Sequence, residues 1–137
     1  MWGLAAAVAV AAALGAAVAA QEWPALQQGM WEIVRTLDTR GGAPRTITDK
    51  RCMDPSEEWK RQNATMARAG CTATPIKRSG NTYTFSAACK LGGLETTTTT
   101  TILVESPTAY TMKVVGTSGG QPVKEEAKGR RVGDCTR

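Results

Sequence analysis

After Gln28, polar and apolar residues alternate along most of this chain, and turn signals interrupt them about every 8 to 14 residues, the rhythm of an antiparallel β meander. Met30 to Thr39 places Trp31, Ile33, Arg35 and Leu37 on one side and Met30, Glu32, Val34 and Thr36 on the other. Arg40-Gly41-Gly42-Ala43-Pro44 turns the chain, and Arg45 to Cys52 reads as a second strand. A helix start follows. Asp54 is placed to cap it, Pro55 takes its first position, and Glu57 completes a capping-box pattern. Trp59, Met66 and Ala67 then face the sheet, and Gly70 is the natural stop after about 14 residues.

Beyond the helix, Cys71–Arg78 and Thr82–Lys90 flank the turn Ser79-Gly80-Asn81. Leu91-Gly92-Gly93 breaks the chain before Leu94–Glu105, whose threonine run Thr96–Thr101 flows into Ile102-Leu103-Val104. β-Branched threonine favours an extended strand, so this run reads as a long, partly exposed strand rather than a disordered or glycosylated stalk. Thr108–Gly116 carries Tyr110, Met112 and Val114 on one face, and Val123–Val132 is the last strand. The pattern predicts a mainly β domain: a curved antiparallel sheet or meander of six to seven strands. The one helix, Pro55–Ala69, lies between strands 2 and 3 and packs on the sheet, leaving one sheet face in solvent.

Leu4 to Ala20 is apolar, Ala-rich and short for a membrane span, and Val18-Ala19-Ala20 supplies small residues before Gln21. Residues 1–20 are therefore expected to be a signal peptide, and 21–137 a single domain of about 117 residues, just large enough for its own small core. An uncleaved N-terminal anchor is the alternative. Every charged residue lies after Ala20, so the net +5 belongs to the mature domain. Its basic residues are spread out rather than bunched, which suits solubility or an anionic envelope ligand, and export argues against nucleic acid. A periplasmic or secreted bacterial protein is expected, with no stable membrane span once the signal is removed.

Four cysteines in a small exported chain argue for two disulfides, and none of them forms a C-x-x-C pair. In a hairpin centred on Gly80, Cys71 and Cys89 lie equally far from the turn and face one another. A Cys52–Cys71 bond would have to bridge the two ends of the helix, about 20 Å apart. Cys52 is thereby left for Cys135.

Gly29-Met30-Trp31-Glu32, Cys52-Met53-Asp54-Pro55, Gly80-Asn81-x-Tyr83 before Cys89, and the ending Gly129-Arg130-Arg131-Val132-Gly133-Asp134-Cys135 occur in that order. In these motifs the chain resembles the small exported bacterial proteins grouped as domain of unknown function 3617. The resemblance spans nearly the whole mature chain. It implies a secreted or periplasmic β-rich domain and carries over no activity.

Candidate chemistry is sparse. The chain has no His, which excludes His-based triads and imidazole acid–base work, and it has no phosphate loop or dinucleotide fingerprint. No cofactor, metal site or catalytic constellation is expected. Trp31 beside Glu32 is a candidate binding pair, and Arg130-Arg131 could clamp an acidic group, though adjacent strand residues point to opposite faces. The expected role is a non-enzymatic periplasmic binding or interaction module for an apolar or anionic envelope ligand or a protein partner. The alternative is an inhibitor of an extracellular or periplasmic hydrolase. A concave, apolar-lined sheet would favour the first, and a filled core with a protruding loop the second.

Overall fold

The computed structural model describes residues 22–38 and 42–136. The expected signal segment, the expected cleavage point before Gln21 and the turn residues Arg40 and Gly41 lie outside the described residues. The elements are β1 (Gly29–Leu37), β2 (Arg45–Met53), α1 (Pro55–Arg68), β3 (Thr72–Ala73), β4 (Lys77–Ser79), β5 (Thr82–Leu91), β6 (Leu94–Ser106), β7 (Ala109–Ser118) and β8 (Gln121–Gly133). They form one antiparallel sheet of eight strands in the order β2-β1-β8-β7-β6-β5-β3, with β4 also pairing β5.

The mainly β reading with one helix between the second and third strands holds, with one more strand than expected. The stretch Cys71–Arg78 is two short strands, not one. Pro75 has no N–H to give to a ladder, so the pairing breaks there. Thr74 closes the gap: its amide donates to the Ser86 carbonyl, and its hydroxyl accepts from the Ser86 amide at 2.9 Å.

The break also repairs the register. The turn is the two-residue Gly80–Asn81, so β4 pairs Ser79 with Thr82 and Arg78 with Tyr83, one residue off a hairpin centred on Gly80. Past Pro75 and Ile76 the pairing becomes Ala73 with Ala87 and Thr72 with Ala88, which sets Cys71 opposite Cys89. Both disulfides are those expected: Cys71–Cys89, with Cα atoms 4.2 Å apart, and Cys52–Cys135, at 5.3 Å.

The helix begins and ends as its caps dictate. The Asp54 carboxylate accepts from the amides of Ser56 (3.1 Å) and Glu57 (3.3 Å), while Glu57 pairs with Lys60 rather than reaching back to Asp54. At the other end Gly70 takes φ +95°, the Gly70 amide donates to Ala67 and the Cys71 amide to Met66, the two bonds of a Schellman stop.

Six strand spacings of about 4.8 Å would hold β2 and β3 about 29 Å apart in a flat sheet. A 14-residue helix is only about 21 Å long. Yet α1 reaches both edges, with Glu58 paired to Arg51 of β2 at 2.9 Å and its C-terminal end against β3. The sheet therefore curls around the helix, and α1 lies as a chord across the concave face. A disulfide stands at each end of that chord, through Cys52 just before the N-cap and Cys71 just after the stop.

The core fills part of this concavity. Trp31, Ile33, Tyr83, Ile102, Tyr110 and Ala127 come from the sheet, and Trp59 from the helix. The threonine run alternates, so Thr96, Thr98 and Thr100 share the inner face with Ile102, while Thr97, Thr99 and Thr101 face outward. A segment the sequence pattern left without a role, 22–28, also packs here. Pro24 is fully buried and its carbonyl accepts from the Ser56 hydroxyl, Trp23 meets Phe85 edge-on with ring centroids 6.0 Å apart, and the Trp31 indole donates to the Gln27 carbonyl at 2.9 Å.

Candidate functional site

A helix normally buries a whole stripe on the layer beneath it. Among the residues of α1 only Pro55 and Trp59 are buried, and Met66, one of the three expected to face the sheet, is 41% exposed. Trp59 stands beneath the helix against Tyr110, ring centroids 4.9 Å apart and nearly perpendicular, and holds α1 off the sheet. The sheet residues below include small ones where the helix passes: Ala73, Ala87, Thr98 and Thr100. A large pillar over a small-residue floor leaves space on either side of the pillar.

Beneath the C-terminal half of α1 is a cleft of about 210 Å³. Met66 and Ala67 roof it, Phe85, Ile102, Met112 and Val114 line it, and Cys71 closes its end. Most of its wall is hydrocarbon.

Beneath the N-terminal half is a second cleft, of about 280 Å³, with a different character. Ile33, Met53 and Ala127 form its apolar part, and Arg35, Arg51, Glu58 and Glu125 bring charge into it. Arg35 donates from Nε to Glu125 at 2.6 Å, and this charged hydrogen bond raises its pKa above the ordinary arginine value. Arg51 bridges Glu58 at 2.9 Å and Asp49 at 3.3 Å. Tyr110 also lines this cleft, and its phenol is pushed up to about 12, chiefly by burial. It therefore stays neutral, a hydrogen-bond donor, at every ordinary pH. Trp59, Gln62 and Met112 border both clefts.

The residues singled out in sequence separate. Trp31 is fully buried in the core. Glu32 and Arg130 are cross-strand partners on the opposite, outer face, with an ion pair at 3.1 Å. They border a shallow depression in which Glu105 is likewise engaged, accepting from the Thr111 hydroxyl at 2.8 Å. Arg131 turns inward as the alternation requires. It donates to the Gln28 carbonyl at 2.9 Å and pairs with Asp134, so it pins both the incoming segment and the tail. The structure thus brings Glu32 and Arg130 together and places Trp31 and Arg131 on the other side of the sheet. Arg35, Arg51 and Gln62, which do face a cleft, carry no motif in the sequence; only the inward parity of Arg35 beside Trp31 and Ile33 pointed there.

Among the described residues no helix is long and apolar enough to cross a membrane. Two formed disulfides are the usual mark of an oxidising compartment. Comparison with curated proteins finds no match, and neither does comparison with solved structures. The family model described as "Protein of unknown function (DUF3617)" matches residues 26–135, most of the chain and nearly all of the described domain, and the chain belongs to that family.

Proposed function

We propose that this protein is a non-enzymatic binding module of the bacterial periplasm or exterior, and that it takes an apolar ligand beneath α1. The observation that carries the reading is the helix itself, held off a concave sheet by Trp59 above a hydrocarbon-lined cleft. Ligand sites are concave and mostly apolar with few polar groups, and the cleft on the C-terminal side of Trp59 has that character. The competing role, inhibition of a hydrolase, draws on protruding loops. Here β4–β5, β5–β6, β6–β7 and β7–β8 are joined by two-residue turns, which present little to an enzyme cleft. Residues 1–20 act in this reading as a signal cleaved after Ala20, and the intact mass of the exported protein tests that step.

The binding reading is tested by titrating the disulfide-intact protein with N-phenyl-1-naphthylamine, an uncharged apolar fluorophore. Saturable enhancement at one equivalent is expected. A flat titration, or one that survives unfolding in urea, would overturn it.

A further inference from the structure

We infer that the cleft beneath the N-terminal half of α1 is the head-group end of the same site, and that the ligand is a single-chain amphiphile with a carboxylate head. This rests on the reading of the C-terminal cleft as a ligand site. Neither cleft alone reaches the range of about 300 to 1,000 Å³ usual for ligand sites, but together they enter it. Both are lined by Trp59, Gln62 and Met112, so one elongated molecule passing beside the Trp59 pillar would place a chain on one side and a head on the other.

The hydrogen-bond inventory sets the chemistry of the head. Three of the four carboxylate oxygens of the polar cleft are already engaged, Glu125 Oε1 by Arg35 and both Glu58 oxygens by Arg51 and Arg61, which leaves Glu125 Oε2. The donors are less engaged. Arg35 spends only Nε, which leaves both terminal nitrogens of its fork without a partner among the described residues. The Gln62 amide and the Tyr110 hydroxyl are likewise unpartnered there, and the tyrosine stays protonated. The unspent donors, one of them a planar guanidinium fork, outnumber the one unspent carboxylate oxygen, so the head they match better is a carboxylate rather than an ammonium.

Competition against the naphthylamine probe with dodecanoate, dodecanol and dodecylamine tests this on the unmodified protein. At neutral pH dodecanoate is expected to bind about tenfold tighter than dodecanol, as one charge-assisted bond implies, and dodecylamine weaker than both. The advantage should vanish on acidification as the ligand carboxylate takes up its proton. Arg35→Gln should bring dodecanoate down toward dodecanol. Because the three-ligand comparison needs no variant, a poorly folding Arg35→Gln protein leaves the inference testable. Equal affinities for dodecanoate and dodecanol, or tighter binding of the amine, overturn the head-group site and leave the apolar cleft standing. If none of the three displaces the probe, the head-group site is overturned while probe binding stands; if the probe itself does not bind, both readings fall.

Discussion

The ring of Tyr110 lies where any side chain on Gly129 would have to be: a Cβ built there would stand 2.1 Å from Tyr110 Cε1. The two residues are cross-strand partners on β7 and β8, and the missing side chain lets the ring lie across the strand toward Trp59 and Trp31. Gly129→Ala must lift that ring off the sheet and disturb the pillar above it. Urea unfolding is expected to register a loss of about 1 to 3 kcal/mol, the ordinary cost of overpacking. An unchanged midpoint would mean that Tyr110 does not support the helix.

Burial of Tyr110 also makes stability depend on alkali. Its phenol is raised from 10.0 to about 12 in the fold, so folding favours the neutral form. The stability this contributes is intact below the unfolded value near pH 10 and is lost as pH rises through about 12. Between those limits the wild type should lose more stability than Tyr110→Phe, measured by urea midpoints at paired pH values. Parallel losses in the two proteins would refute the assignment.

The disulfides fasten the two ends of α1 to opposite parts of the sheet. Non-reducing peptide mapping should recover Cys71 with Cys89 and Cys52 with Cys135, and a Cys52–Cys71 peptide would contradict the fold. Replacing Cys71 and Cys89 together by Ser is expected to cost about 2 to 4 kcal/mol, since the bond closes an 18-residue separation. The variant should also bind the naphthylamine probe more weakly, because Cys71 closes the end of the apolar cleft.

Much of this architecture can be read from the chain, for identifiable reasons. Asp54, Pro55 and Gly70 act locally, so the helix ends follow from neighbours in sequence. The Cys71–Cys89 bond was legible from the symmetry of its hairpin, although two departures cancel to make it so: the turn is offset by one residue, and the Pro75 break takes that residue back. The site is less legible because it is a space rather than a motif. Ala73 and Ala87 become a cleft floor only once β3 and β5 pair and a tryptophan props the helix above them. Trp31-Glu32 and Arg130-Arg131 looked like chemistry because they are adjacent, and strand alternation sends each pair to opposite faces.

The most direct test is the mass of the protein isolated with its disulfides intact and sprayed from non-denaturing solution. The wild type should carry a small organic molecule that unfolding releases. Ala87→Trp, whose indole would occupy the cleft beneath Met66 and Ala67, should be isolated bare and stay bare when the naphthylamine probe is added. A wild-type protein that stays bare when the naphthylamine probe is added, or an Ala87→Trp protein that takes the probe up, would contradict a binding site beneath the helix.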